Sequence, residues 1–74
     1  MNSRLIQNCI QDLLDQQGKT RTELRKYLVK KGIKATRQKI GAWCINANQP
    51  QDGETRRAIA KFLNRAVSKV FFVV

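Results

Sequence analysis

Seventy-four residues make one domain, with room for a modest core and none for a deep catalytic cleft beside it. Fifteen Lys and Arg against five Asp and Glu leave a net charge of +10, and most of it lies between Lys19 and Lys39, where nine basic residues face Glu23 alone. Charge gathered in one stretch implies a polyanionic partner, and no segment approaches the ~20 apolar residues of a membrane span.

Four helical patterns are predicted, then a short apolar tail. The first runs from about Arg4 to Gln17, capped by Ser3. Leu5, Ile6, Cys9, Ile10, Leu13 and Leu14 form its stripe, and Gly18 ends it. The second opens at Thr20. In Thr20-Arg21-Thr22-Glu23 the outer two residues satisfy each other's free amides as a capping box. Leu24, Tyr27 and Leu28 form its inner face, and Gly32 stops it near Lys31. The turn Gly32-Ile33-Lys34-Ala35 follows, with Ile33 expected to plug the core. Thr36 caps the third helix, whose inner stripe is Ile40, Trp43, Cys44 and Ala47. The polar string from Asn48 to Gly53 breaks the chain. The fourth helix runs from about Glu54 to Leu63, with Ala58 or Ile59, Phe62 and Leu63 inward, and Asn64 suits a left-handed end. Val67, Val70 and Phe71 suggest a last short turn of helix. Phe71-Phe72-Val73-Val74 suits a strand equally. The expected class is a compact all-α domain of four to five helices, with a short C-terminal strand as the open alternative.

Cys9 and Cys44 lie far apart and the chain has no histidine, so zinc-ligand spacing is absent and neither metal nor cofactor is expected. Both cysteines read as buried, reduced thiols, which suits a reducing cytosol. The segment Met1 to Gln17 has no secretory apolar run, so a cytoplasmic location is expected. Five scattered carboxylates and no nucleophile beside a base argue against an enzyme.

Two helices around a glycine-containing turn, the second with a polar start, describe a helix-turn-helix. Ile40, Trp43 and Cys44 fill the buried face of the second of these. Arg37, Gln38, Gly41, Ala42 and Ile45 occupy the opposite one. Arginine reads guanine through two hydrogen bonds and glutamine reads adenine the same way. Gly41 and Ala42 are small and let the helix axis sit deep in a groove.

The chain resembles the lambda Cro and repressor class of phage and bacterial helix-turn-helix proteins. Thr20-Arg21-Thr22-Glu23-Leu24 is similar to that family's second-helix opening, commonly Thr-Gln-x-Glu-Leu. Thr36-Arg37-Gln38-Lys39-Ile40-Gly41-Ala42-Trp43 is similar to its recognition helix, commonly Ser-Arg-Gln-x-Ile-Ser-x-Trp. Asn46 and Pro50 fall near its Asn-Gly and Pro, and Leu63 to Phe71 resembles its last turn. The resemblance implies a small transcriptional regulator, a repressor, binding double-stranded DNA inside a bacterial or phage-infected cell. It implies base contacts from Thr36, Arg37, Gln38 and Ala42, and phosphate contacts from Arg21, Asn46 and Asn48. The charge pattern adds Lys30, Lys31, Lys34 and Lys39 to the phosphate set. The chain departs from the pattern twice. Glu23 and Trp43 are about five residues further apart, and the position after Leu24, commonly alanine, is Arg25.

Two other functions fit the charge: a basic nucleic-acid binder without sequence choice, and a protein-interaction module such as an antitoxin. The capped polar start of the third helix and the scarcity of exposed aromatics argue against the first. The tail from Val70 to Val74 is expected to mediate a homodimer, as a two-stranded ribbon or by capping the partner's core. The alternative is that it folds back beside Leu5 and Ile6.

Overall fold

The computed structural model describes residues 6–73. Ser3, Arg4 and Leu5 of the predicted first helix, and Val74 of the tail, lie outside them. The element order is β1 (Ile6–Asn8), α1 (Ile10–Gln17), α2 (Arg21–Lys30), α3 (Arg37–Cys44), α4 (Gly53–Phe62), α5 (Val67–Val70) and β2 (Phe71–Val73). The chain is mostly helical, but its described ends form a two-stranded antiparallel sheet, which corrects the all-α expectation.

The first helix therefore begins at Ile10, not near Arg4. Ile6, Gln7 and Asn8 pair with Val73, Phe72 and Phe71 in that order. The described part of the tail thus folds back beside Ile6, with Phe71–Val73 as strand. Cys9, not Ser3, stands at the N-cap and has no side-chain cap bond; the residue before it, Asn8, accepts from the first helical amide, Ile10 N, through its Oδ1 at 3.0 Å. A short polar side chain that bonds its own nearby backbone favours a helix start over a helix interior. The Cys9 amide donates to the Val70 carbonyl at 3.1 Å, tying the entry of α1 to the end of α5.

Local chemistry sets the other helix starts. At α2 the capping box is complete, with Glu23 N donating to Thr20 Oγ1 (3.1 Å) and Thr20 N donating to Glu23 Oε1 (2.9 Å). Thr36 Oγ1 accepts from Lys39 N at 3.1 Å and opens α3. Asp52 caps α4 through Glu54 N, so that helix starts one residue before Glu54. Gly32 follows α2 with φ 81° and Asn64 follows α4 with φ 55°, both left-handed helix endings.

The core gathers Ile10 and Leu14 from α1, Leu24 and Leu28 from α2, Ile40 from α3, Ile59 from α4, then Leu63 and Val70, all fully buried. Each such side chain contributes about 1.5–3 kcal/mol over an exposed one. α2 packs against both α3 and α4, and α1 against α3. Three details differ from expectation. Ala47 is exposed, because α3 ends at Cys44 and the chain turns away at Asn46. Ile33 is only half-buried, and Ala35 is the turn residue that enters the core. Phe62 is half-buried too, its ring 5.1 Å from that of Tyr27.

Candidate nucleic-acid interface

α3 buries Ile40, Trp43 and Cys44 and turns the rest outward. At about 100° per residue, Gln38, Gly41, Ala42 and Ile45 lie on the far side of the helix from that stripe. Arg37 and Lys39 stand about 200° apart on its two flanks. The neighbouring elements extend each flank. Arg37 shares a cleft with Arg21, Thr22 and Arg25 of α2. Lys39 shares another with Lys34 of the turn and Asn48 of the following loop. The outward face of α3 is thus a polar and small-residue strip between an arginine margin and a margin where Lys34 and Lys39 stand near Asp52 and Glu54.

Arg21 also binds the helices together. Its Nε donates to Gln11 Oε1 of α1 at 2.7 Å. Its Nη1 lies 3.8 Å from where a Cβ on Gly41 would stand, an ordinary contact, so packing does not demand glycine there. Arg25 remains exposed on the same cleft instead of being buried at the helix crossing. Sequence reasoning missed it as a site residue, although its spacing of four from Arg21 puts both on one side of α2.

The cleft of Arg21, Arg25 and Arg37 is lined by no carboxylate, whereas Asp52 and Glu54 line the cleft of Lys34 and Lys39. Asp12, Glu23, Asp52 and Glu54 all sit at helix starts, where free amides and the helix dipole favour negative charge.

The remaining candidates divide. Thr36 and Ala42 lie at the start and middle of α3, Thr36 with its hydroxyl engaged as the cap. Asn48 is exposed, with its Oδ1 accepting from Gln49 N at 2.8 Å. Lys30 is exposed at the last turn of α2. Lys31 lies over the Tyr27 ring at 5.4 Å, facing Arg57 and Lys61 of α4, and is not brought to α3. Asn46 serves the fold. Its Oδ1 accepts from Asn8 N at 2.8 Å and its Nδ2 donates to Asn8 O at 3.1 Å. Asn8 Nδ2 in turn donates to Trp43 O at 2.9 Å. This clamp fixes the C-terminal end of α3 to β1. The left-handed backbone of Asn46, φ 59°, is one that asparagine tolerates better than most residues.

Cys44 is buried and Cys9 half-buried, rather than both buried. Burial pushes both thiols up from their ordinary value, with Arg21 partly offsetting this at Cys44. They stay protonated at neutral pH and are poor nucleophiles. No helix among the described residues is long and apolar enough to cross a membrane.

Comparison with known proteins finds no matching family model, no matching curated protein and no matching solved structure.

Proposed function

We propose that the chain binds double-stranded DNA sequence-specifically, as a small helix-turn-helix regulator of the Cro and repressor type that lays α3 in the major groove. The observation that carries this reading is the outward strip of α3, with Arg21, Arg25 and Arg37 clustered along one flank and Lys34 and Lys39 on the other. A major groove about 12 Å wide admits one helix, offers base edges at its floor and has a phosphate wall on each side. Gln38 lies toward the floor. Arg37 opens the helix at one margin and reaches either a base or a phosphate. Arg21, Arg25, Lys34 and Lys39 meet the walls. Selection of bound fragments from random duplex DNA at two salt concentrations tests the reading. A sharp motif supports it, and a flat pool replaces it with a binder lacking sequence choice.

Within this reading Arg37 and Gln38 set specificity, and Arg21 with Lys34 sets affinity. Arg37→Ala is expected to cost about 1–3 kcal/mol on the selected site and much less on random duplex. Arg21→Ala weakens both alike, once its folding has been verified, since it also bridges α1 to α2. An Arg37→Ala variant that is sequence-neutral places base reading elsewhere.

A two-fold dimer through Val70–Val74 belongs to the same proposal, since one copy covers one half-site. Val70 and Phe71 are buried within their own chain, so the contact falls to Phe72, 40% exposed, and Val73, 56% exposed. A two-stranded sheet also leaves an unpaired edge on β2. Deleting residues 72–74 is expected to give a folded monomer in sedimentation, with much weaker DNA binding. A full-length chain already monomeric at high micromolar concentration, with a deletion that only lowers the melting temperature, makes the tail part of its own core alone.

A further inference from the structure

Ile45 has no role in the fold. It is 68% exposed, more than any other large hydrophobic among the described residues. It follows the last residue of α3, and its amide still donates to Gly41 O at 3.2 Å, so it continues the helical path. Seven residues after Gln38, it stands within about 20° of the same line along the helix and about 10 Å further on. Between them lie only Gly41 and Ala42, which raise nothing above the backbone to screen it. The residue after it is held by the Asn8–Asn46 clamp, which fixes where the Ile45 backbone sits. A β-branched side chain has few rotamers, so little freedom is lost when it makes a contact.

The major-groove base edges carry one apolar group, the C5-methyl of a pyrimidine, and in unmodified DNA that group marks thymine. We propose that Ile45 reads a thymine methyl at the far end of the strip that Gln38 opens. The proposal rests on the DNA-binding reading above and adds a specificity residue to it. The separation of the two side chains corresponds to about three base-pair steps. The preferred site is therefore expected to contain a thymine about three base pairs from the position sensitive to Gln38→Ala.

The test uses the full chain and the duplex selected from the random pool. Each thymine is replaced singly by deoxyuridine, which removes the methyl and preserves every hydrogen-bonding group. At one position the wild-type chain is expected to lose affinity about fourfold, the worth of one buried methyl-sized group. Ile45→Ala binds the thymine duplex about as weakly as wild type binds the uracil duplex, and shows no further loss on the uracil duplex. Replacing that thymine pair by a 5-methylcytosine pair separates methyl reading from thymine reading. Affinity restored by 5-methylcytosine relative to cytosine supports the methyl contact. Unchanged thermal unfolding of Ile45→Ala shows that the fold is intact.

Uracil tolerated at every position overturns the proposal while leaving DNA binding in place. So does an Ile45→Ala loss that is equal on thymine and uracil duplexes, or an Ile45→Ala change in sedimentation with unchanged DNA affinity. A pool that yields no preferred duplex removes sequence-specific reading altogether, a result distinct from all three.

Discussion

Raising the salt concentration from about 50 to about 200 mM is expected to weaken DNA binding about 500-fold, with a slope of log affinity against log salt of roughly −4 to −5. Five cations flank the outward strip of α3: Arg21, Arg25 and Arg37 on one side, Lys34 and Lys39 on the other. Each phosphate they neutralise releases condensed counterions, and the slope counts those contacts. No carboxylate lines the arginine cleft, while Asp52 and Glu54 share the lysine cleft from the start of α4, where the helix dipole favours them. Lys31 is excluded from the count, since it faces α4. Titrating a labelled duplex at several salt concentrations measures the slope. A slope near zero removes DNA from the partners of this chain.

Trp43→Ala is expected to destabilise the fold by about 3–5 kcal/mol. Trp43 is 6% exposed within the core cluster and lies between Ile40 and Cys44 on the inner side of α3. Its backbone carbonyl also receives Asn8 Nδ2 and the Asn46 amide, so a cavity there loosens the anchor of the helix end. Small domains have little stability in reserve, and a loss of this size consumes most of it. Denaturant titration with circular dichroism gives the number. The indole is almost wholly buried, at the base of the Lys34–Lys39 cleft, so its fluorescence is expected to change little when duplex DNA binds. A cost under about 1 kcal/mol, or strong quenching by single-stranded oligonucleotides in a folded chain, makes Trp43 a stacking residue instead.

What the sequence made legible was what depends on near neighbours. Thr20 with Glu23, and Thr36 with the start of α3, act over three residues, and each was readable from spacing alone. The left-handed ending at Asn64 is equally local. β1 was not legible, because Ile6-Gln7-Asn8 fits a helical stripe as well as a strand. Its partner lies at the other end of the described chain, and tertiary pairing overrode the local pattern. The roles of Asn46 and Lys31 were hidden for a similar reason. Asn46 is held by Asn8, 38 positions away in the chain, and Lys31, although adjacent to Lys30 in sequence, lies on the α4 side of α2. Arg25 is recoverable from its spacing of four to Arg21, which puts both on one side of α2.

The pairing of Ile6 with Val73 makes the described chain a nearly closed ring. Helical turns form between residues a few positions apart, whereas this seam joins residues 67 positions apart and carries a closure entropy that local turns do not. The seam also holds Asn8, and Asn8 holds the C-terminal end of α3. The two ends of α3 are thus secured by different means. Its N-terminal end depends on Thr36, three residues from its partner amide, and is set as soon as one turn forms. Its C-terminal end, where Ile45 projects, is set only when the extremities of the domain have met. Opening the ring would free that end and leave the other capped.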